Sequence, residues 1–230
     1  MTHLFNATNL NFSEKETSIL KNICFSFQAG QIICILGNNG SGKSTLLKVC
    51  AGILTPSSGV VTLNNEDIYS LKDEARAKLI GWQPQNINRP YNMSLLEFMD
   101  LTPSSHQQEL LDLFEVSQFS NKNIDTLSGG EWKRGQLARL WQTNCKVMFL
   151  DEPDSDLDLR HKKKLVHYCK DYVQKNNAIM VIVTHDIVFA REVADKICAL
   201  SDGYLVWNSN STEFWKTKVI NKIFSTKVYS

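Results

Sequence analysis

Continuous runs of apolar residues alternate with helical patterns along much of the chain. The first run, Gln31–Gly37, leads through glycines into a helical stretch, and Val147–Leu150 and Ile179–Val183 lead towards helical patterns in the same way. A strand that is buried on both faces of a parallel sheet has this continuously apolar character. The alternation of such strands with helices predicts a mostly parallel α/β sheet covered by helices on both faces.

The first third of the chain also contains segments in which apolar and polar residues alternate. They span Leu4–Phe12, Ile23–Phe27 and Val60–Leu63, and turn residues such as Gly30 and the run Pro56–Gly59 separate them. This alternation is typical of strands with one buried face, bounded by turns. The pattern therefore predicts a β-rich region around the first buried strand.

The segment from about Asn88 to Gln142 has no convincing strand pattern. Its helical patterns lie at Leu95–Leu101 and Gln107–Phe114, which predicts a helical insertion in an α/β core. We expect residues 1–230 to form a single domain, in which 1–87 and 143–230 make up the core and 88–142 the insertion.

The end of the chain has the pattern of a terminal helix. It follows a predicted hairpin turn at Asp202–Gly203 and spans Ser211–Phe224, beginning with residues that cap helices well. We expect its apolar face to pack on the domain, and docking to a partner is the alternative. That face comprises Phe214, Trp215, Val219, Ile220 and Ile223.

Composition narrows the class of protein. The chain has 230 residues, of which 43% are hydrophobic, and a formal net charge of +1. A near-zero charge counts against bulk nucleic acid as the partner. No apolar run approaches the roughly 20 residues of a membrane-spanning helix, and the first residues lack a signal-peptide pattern, so we expect a cytoplasmic chain. The six scattered cysteines contain no CxxC pair and are expected to be buried small hydrophobes.

A glycine-rich phosphate loop follows the first buried strand. The sequence GNNGSGKS fits G-x-x-x-x-G-K-[ST], with a strand before it and a helix after it. Glycines let the backbone amides wrap an anion, Lys43 can reach the β- and γ-phosphates, and the Ser44 hydroxyl can ligate Mg²⁺. The expected phosphate-binding residues are Gly37, Asn38, Asn39, Gly40, Ser41, Gly42, Lys43, Ser44 and Thr45.

An acidic pair, Asp151 and Glu152, stands at the carboxyl end of the buried strand in KVMFLDEP. Ligands of open parallel sheets bind at that edge. Asp151 suits the organisation of Mg²⁺ and its waters. Glu152 points the other way off the strand and can polarise a water for attack on the γ-phosphate.

The sequence LSGGEWKRGQLAR distinguishes between classes of nucleotide-binding protein. Ser128 can cap a helix that starts with Gly129 and Gly130, which creates a second anion-binding helix start. One bound nucleotide does not need two such sites. We therefore expect a head-to-tail dimer, in which the second site of each chain closes over the ATP of the other.

At these residues the chain resembles the ABC ATPases. LSGGE is similar to their signature motif, GNNGSGKST to Walker A and VMFLDE to Walker B, and further motifs follow in the family's order over essentially the whole chain. The resemblance implies a P-loop NTPase (RecA-like) core with a mixed, mainly parallel sheet, an N-terminal antiparallel β subdomain and an inserted α-helical subdomain.

The resemblance also implies roles for single residues. Glu152 would be the catalytic base, His185 in VTHD would contact the γ-phosphate, and Gln85 in WQPQ would sense Mg²⁺ and the attacking water. Ser128, Gly129 and Gly130 would act in trans on the partner's γ-phosphate. Asp158 ends the D-loop sequence SDLD. Phe12 lies near the family's adenine-stacking aromatic, although a strand aromatic is core about as often.

Two acidic residues depart from the family pattern. Asp154 replaces the usual small residue after DEP, and Asp156 replaces the usual alanine of the D-loop. With Asp151, Glu152 and Asp158 they form an acidic patch near the expected dimer seam. Like charges disfavour one another at short range, so we expect a weak dimer until ATP and Mg²⁺ arrive.

Several details favour an importer cassette. The stretch before Gln85, the signature LSGGEW and the short end of the chain resemble cassettes that import iron–siderophore, haem or cobalamin, and the signature is especially similar to the cobalamin branch. The partners implied are membrane permease subunits and a periplasmic or surface substrate-binding protein, with this chain peripheral on the cytoplasmic face of the cell membrane. An exporter cassette of haem or lipoprotein-release type is the alternative.

Other nucleotide-binding classes fit less well. Translation-type ABC proteins carry two cassettes in one chain, and DNA-repair types split the cassette with a long coiled coil. A kinase without a signature would leave LSGG unexplained.

In the importer class, a permease helix would dock in the groove beside Gln85. Apolar candidates in that groove are Ile87, Tyr91, Met93 and Leu96.

Overall fold

Ten strands form two sheets in the computed structural model, which describes residues 4–86, 88–89 and 92–217. One sheet has four strands in the order β2-β1-β4-β5, and the other has six in the order β10-β9-β3-β8-β7-β6. The strands are β1 (Leu4–Glu14), β2 (Thr17–Gln28), β3 (Gln31–Gly37), β4 (Ser58–Leu63), β5 (Glu66–Asp67), β6 (Ile80–Gln83), β7 (Val147–Asp151), β8 (Ile179–Val183), β9 (Lys196–Ser201) and β10 (Tyr204–Asn210).

The six-stranded sheet is parallel except at its β10 edge, where β10 pairs antiparallel with β9. The three continuously apolar runs form its centre as β3, β7 and β8, and almost every residue in them is buried. The register aligns Asp151 with Val183 and Gly37 with Leu200. The carboxyl ends of β3, β7 and β8 therefore meet at one edge, where ligands of such sheets bind.

Eight α-helices and two short 3₁₀ turns complete the described residues. Alternate side chains of β3 enter two separate apolar clusters, with Ile32 and Cys34 in one and Ile33 and Ile35 in the other. Apolar packing thus covers both faces of the sheet. The helices are α1 (Lys43–Cys50), α2 (Asp73–Leu79), α3 (Leu95–Asp100), α4 (Gln107–Leu113), α5 (Gly129–Trp141), α6 (Leu159–Asn176), α7 (Ile187–Val193) and α8 (Ser211–Phe214), with 3₁₀ turns at Ser117–Phe119 and Ile124–Thr126.

The four-stranded sheet is antiparallel and packs against one face of the larger sheet. Phe5 of β1 is fully buried, and its ring lies edge-on to Phe149 of β7 with centroids 5.4 Å apart. Burial of aromatic and aliphatic side chains between the sheets stabilises this arrangement. The predicted fold, a mixed and mainly parallel core with an N-terminal antiparallel β subdomain, is confirmed.

Helices α3, α4 and α5 lie between β6 and β7 in the sequence. A Cβ added to Gly135 of α5 would lie 2.7 Å from Cδ1 of the buried Leu95 in α3. Close approach of α3 and α5 accounts for a glycine in a helix interior, where it costs about 1 kcal/mol relative to alanine. The predicted helix at Leu95 therefore packs against the middle of α5.

Two predictions differ from the structure. The tail helix α8 ends at Phe214 instead of Phe224, and the remainder of the predicted apolar face beyond Trp215 falls outside the described residues. Phe214 is fully buried against Trp207, at 5.8 Å between ring centroids. Cys24 is exposed on the antiparallel sheet, whereas the other five cysteines are buried as expected, and all six thiols are free. In the part of the chain that the structure describes, no helix is both long and apolar enough to span a membrane.

Candidate active site

The phosphate loop connects the carboxyl end of β3 to the start of α1. Gly42 precedes α1 with a φ of 101°, a conformation that favours glycine. At Gly37, a Cβ would lie 2.4 Å from the carbonyl oxygen of Leu200, so a larger residue would push the loop off β9. These two glycines let the loop turn tightly and present backbone amides and the α1 N-terminus to the same side, as anion binding requires.

Lys43 is the first residue of α1 and lies folded back over the loop. Its ammonium donates hydrogen bonds to the carbonyl oxygens of Gly37 and Asn38, both at 2.8 Å. Burial lowers the pKa of Lys43, while Glu152 and Asp151 act in the opposite direction. These two hydrogen bonds hold the ammonium beside the loop, where the phosphates of a bound nucleotide would lie.

Asp151 and Ser44 form the candidate Mg²⁺ site. The Asp151 side chain is buried, and the Ser44 side chain hydrogen-bonds to it. Its Oδ1 has no hydrogen-bond partner among the described residues, and burial raises the pKa of the carboxyl. An orphaned carboxylate oxygen beside a hydroxyl fits a hard cation. The described residues hold no group of three or more His, Cys, Asp and Glu side chains suited to a metal, and Mg²⁺ at nucleotide sites uses few protein ligands.

Glu152 lies between Gln85 and His185. Its Oε2 accepts a hydrogen bond from Gln85 Nε2 at 2.8 Å, and its Oε1 lies 3.1 Å from His185 Nε2. A φ of 50° at Glu152 turns the chain sharply as it leaves β7, and its amide still bonds to Val183. The structure therefore brings together the two side chains expected to act on the attacking water, Glu152 and Gln85, and the histidine expected to contact the γ-phosphate.

A cleft of about 710 Å³ joins the phosphate loop to these three side chains. Phe12 is not among the residues that line it. Phe12 is partly buried against the core of the antiparallel sheet, and Ile19 of β2 lines the cleft instead. Base stacking by Phe12 stays a prediction. The lining residues are Ile19, Asn39, Gly40, Gly42, Lys43, Ser44, Thr45, Gln85, Glu152 and His185.

The signature residues lie away from this cleft. Ser128 caps α5, its hydroxyl accepting a hydrogen bond from the Glu131 amide at 3.3 Å while the Glu131 carboxylate binds the Ser128 amide. Ser128 and Gly129 are exposed, and neither they nor Gly130 line the cleft of their own chain. A capped and exposed helix start that is free of its own site is the arrangement needed for contact with a second nucleotide.

Asp158 has a local role that the sequence analysis did not assign. It caps α6, and its Oδ1 accepts a hydrogen bond from the His161 amide at 2.8 Å and lies 2.9 Å from His161 Nδ1. The hydrogen bond from the His161 backbone amide holds the pKa of Asp158 below its ordinary value. Asp158 does not line the cleft of its own chain.

Two basic residues beside the site were missed by the sequence analysis. Lys133 of α5 and Arg89 both bind backbone carbonyl groups, Lys133 at Gln85 and Arg89 just before Ser128. Every residue has a backbone carbonyl group, so the sequence does not show which basic side chains bind carbonyl oxygens and which are surface charges.

The groove residues proposed from the sequence are described only in part. Met93 and Leu96 are partly buried and pack on the apolar core, and Ile87 and Tyr91 fall outside the described residues.

Comparison with known proteins gives consistent matches. Residues 20–155 match the family model described as ABC transporter. A hemin import ATP-binding protein of Rhodopseudomonas palustris is 29% identical, over 99% of this chain and 93% of that protein. A molybdate/tungstate import ATP-binding protein of Methanocaldococcus jannaschii is 34% identical, over 81% of this chain and 64% of its own length.

Among solved structures, a dimeric bacterial ABC transporter cassette is 27% identical. It superposes with a TM-score of 0.83, covering 90% of this chain and 98% of that one. The same cassette in a dimeric post-hydrolysis state, bound to ADP and Pi, superposes with a TM-score of 0.81 at 26% identity, with the same coverage.

Proposed function

Because the chain belongs to the ABC transporter family, we propose that it powers the import of a metal chelate, such as iron–siderophore, haem or cobalamin, through a separate permease. It is an ATP-binding and ATP-hydrolysing subunit. The proposal concerns the direction of transport, the cargo, and the residues that carry out hydrolysis. The observation that carries the residue assignment is the cleft that joins the phosphate loop to Glu152, Gln85 and His185.

The phosphate loop, Glu152, Gln85 and His185 receive separate tasks in hydrolysis. The loop amides and Lys43 bind the phosphates and offset their negative charge. Glu152 accepts a proton from the water that attacks the γ-phosphate, and Gln85 fixes the carboxylate and the water. His185, which lies within reach of the same carboxylate, donates a hydrogen bond to the γ-phosphate. Positioning of this kind, with charge stabilisation, provides most of the catalysis in phosphoryl transfer.

Mg²⁺ is part of the proposal. Ser44 and Asp151 would hold it with Gln85, and it would supply neutralisation of charge on the β- and γ-phosphate oxygens. The unpartnered Oδ1 of the buried Asp151 supports the assignment. Isothermal titration with ATP in EDTA and in Mg²⁺ tests it, because Asp151→Asn should remove the difference between the two conditions.

The active form is proposed to be a head-to-tail dimer of two copies of this chain. Ser128, Gly129 and Gly130 of each copy would contact the γ-phosphate bound by the other. The exposure of Ser128 and Gly129, and the absence of all three residues from the lining of their own cleft, support this arrangement. The similarity to a dimeric cassette at 27% identity agrees with it. Asp158 would lie at the seam of that dimer.

Import of a chelate is supported by the hemin import relative, which this chain matches over nearly its whole length. The relative named for molybdate and tungstate import has a different kind of cargo, and the cassette itself does not contact cargo in our proposal. The permease sets the cargo, and a periplasmic or surface substrate-binding protein delivers it. The chain would sit on the cytoplasmic face of the cell membrane, with a permease helix in the groove beside Gln85.

Reconstitution with a permease tests the function. We expect the permease recovered with this chain from membranes, inserted in proteoliposomes with its substrate-binding protein, to stimulate ATP hydrolysis and to take up haem or cobalamin. Release of haem or lipoprotein from the same vesicles would establish the exporter alternative. Stimulation by DNA or ribosomes but by no permease would remove the transport proposal.

A further inference from the structure

Two basic side chains connect the segment around Gln85 to the segment around Ser128. We call the first the Gln85 segment, meaning Gln85 and the described residues that follow it as far as Arg89. The second is the signature segment, Ile124–Lys133. Each segment contributes one cation, and each cation binds backbone carbonyl oxygens of the other segment.

Lys133 reaches from the signature segment to the Gln85 segment. Its side chain is on α5 and only 3% of the residue is exposed. The ammonium donates hydrogen bonds to the carbonyl oxygens of Gln85, at 3.0 Å, and of Glu152, at 3.4 Å. Burying an ammonium is costly unless hydrogen bonds and opposite charges compensate. Both of its bonds go to residues of the hydrolytic site, so Lys133 contacts the backbone that positions Gln85 and Glu152.

Arg89 reaches in the opposite direction. Its Nη1 lies within hydrogen-bonding distance of three carbonyl oxygens, at 3.0 Å from Ile124, 3.0 Å from Asp125 and 2.8 Å from Leu127. Ile124 and Asp125 belong to the 3₁₀ turn before α5, and Leu127 follows that turn and directly precedes Ser128. Bonds from a guanidinium to uncharged carbonyls are charge-assisted and stronger than ordinary ones. Arg89 therefore fixes the entry to the signature helix.

The electrostatic surroundings of Lys133 agree with a structural cation. Burial lowers its pKa, and Asp156, Asp154, Glu152 and Asp151 act in the opposite direction. The two aspartates that depart from the family pattern, Asp154 and Asp156, thus oppose the effect of burial on the pKa of Lys133.

We propose that Lys133 and Arg89 are positioning residues that make the Gln85 segment and the signature segment move as one unit. Gln85 holds the Glu152 carboxylate of its own chain, and Ser128 serves the partner's ATP in the dimer proposed above, on which this inference rests. The pair then couples the two ATP sites. A chain that arranges its own Glu152 and Gln85 for hydrolysis simultaneously arranges its signature for the neighbouring site.

Kinetics of single variants provide the first test. We expect Lys133→Met and Arg89→Met each to lower kcat for ATP about tenfold, as loss of a charge-assisted bond in a positioning network does. Affinity for ATP in the monomer should stay within about twofold, since neither residue lines the cleft. Arg89→Lys, which retains a cation, should recover most of the rate. The matched control is Arg139→Met, which removes a partly buried α5 cation whose bond to Thr102 stays within the insertion.

Mixed dimers separate coupling from local damage. With Glu152→Gln in one chain, hydrolysis occurs only at the site that combines the other chain's Glu152 with the first chain's Ser128. We then place Arg89→Met on either chain. The proposal expects a similar loss of turnover in both placements, because the residue acts on the Gln85 side and on the Ser128 side. A loss in only one placement, or in neither, overturns the coupling.

Amide hydrogen exchange of the nucleotide-free chain requires no turnover and so isolates this inference from the proposed function. Arg89→Met should speed exchange at Leu127–Gly130, and Lys133→Met should speed it at Gln85 and Glu152, with Arg139→Met changing neither region. Unchanged exchange in both variants overturns the inference even if the wild-type chain hydrolyses ATP normally. Faster exchange in a chain without ATPase activity would retain the inference's structural link and reject the proposed function.

Discussion

The side-chain amide of Gln85 donates a hydrogen bond to Glu152 at 2.8 Å, joining residues that lie 67 positions apart in the sequence. The second carboxylate oxygen of Glu152 lies 3.1 Å from His185. Both oxygens therefore have a defined neighbour, and the carboxylate has one preferred orientation. A general base needs this fixed geometry before its pKa matters.

We predict that Glu152→Gln retains ATP binding and blocks turnover. The amide has the same shape as the carboxylate but cannot accept the proton, so we expect the rate to fall about 10²–10⁴-fold. ATP-bound dimer should accumulate and be visible by size-exclusion chromatography with phosphate release measured in parallel. Glu66→Gln, at an exposed strand edge, is the control. Near-normal turnover of Glu152→Gln would reject the general-base assignment.

We predict that Lys43→Ala loses nucleotide binding. Its ammonium is held over the loop by the carbonyl oxygens of Gly37 and Asn38, and it carries the positive charge closest to the bound phosphates in our proposal. Fluorescent-nucleotide titration measures the loss, with Lys48→Ala on the same helix as control. Equal ATP affinity of the two variants would remove Lys43 from the site.

The sequence predicted those elements whose burial pattern is local. The runs Gln31–Gly37 and Ile179–Val183 were predicted with the bounds that the structure gives to β3 and β8, because strands buried on both faces are apolar throughout. The first half of β2 was missed, since Thr17 and Ser18 are polar and are ordered by pairing with Glu14 and Ser13 of β1. Strand pairing, and not local pattern, fixes that part.

The site was predictable in its order but not in its contacts. Motif order placed Gln85, Glu152 and His185 in one site. The pairing of β6, β7 and β8 brings the ends of these strands together, and there Glu152 contacts both Gln85 and His185. The wall of the cleft shows the same limit, because Phe12 and Ile19 are both apolar strand residues and, of the two, Ile19 lines the cleft. The β1–β2 ladder has register shifts on both sides of Phe12, so the alternation of apolar and polar residues alone does not fix which of these side chains faces the cleft.

We predict that Ser128→Ala and Ser94→Ala have similar effects on stability but different effects on activity. Both serines cap a helix in a capping box, at 3.3 Å to Glu131 and 3.2 Å to Glu97. Each loss should cost about 1 kcal/mol in the free energy of unfolding. Only Ser128→Ala should lower ATP turnover, because in the proposed dimer only the Ser128 hydroxyl reaches the partner's ATP.

The bulkier Ser128→Arg should stop turnover at both sites of the dimer, since in the proposed arrangement each signature serves the other chain's nucleotide. Urea denaturation and steady-state ATPase measurements give the two quantities. A parallel loss of turnover in Ser94→Ala would show that capping alone, without contact in trans, explains the effect of Ser128→Ala.

We predict opposite responses to alanine at the two signature glycines. A Cβ on Gly130 would lie 2.8 Å from the Asp156 carbonyl oxygen, whereas the nearest atom to a Cβ on Gly129 is 3.5 Å away. Gly130→Ala should displace the D-loop backbone and cost about 1–3 kcal/mol. Gly129→Ala should be neutral or stabilising by up to about 1 kcal/mol, through a lower entropy of the unfolded chain. Thermal unfolding of the nucleotide-free chain measures the packing of Gly130 on Asp156 without any contribution from ATP. Equal stability of the two variants would contradict the prediction.

Finally, we predict that Asp154→Asn stabilises the chain at neutral pH. The Asp154 side chain is buried, its Oδ1 has no hydrogen-bond partner among the described residues, and burial raises the pKa of its carboxyl, with Thr184 and Lys162 offsetting this only in part. In the unfolded chain this carboxyl loses its proton near its ordinary pKa of about 3.9. As pH rises above that value the unfolded state ionises first, so the folded state loses stability until its own raised pKa is passed.

The advantage of Asp154→Asn should therefore be complete above the raised pKa and should vanish as pH falls below the unfolded value, where both states are protonated. Lys162 keeps a partner in the variant, because it binds Asp186 at 2.7 Å. Asp158 gives the opposite sign: its pKa is lowered, so the wild-type chain should be favoured over Asp158→Asn at neutral pH and lose that advantage as pH falls. Urea denaturation across this pH range measures both differences. A destabilised Asp154→Asn at neutral pH would mean that its contact with Lys162 outweighs the cost of burying the charge.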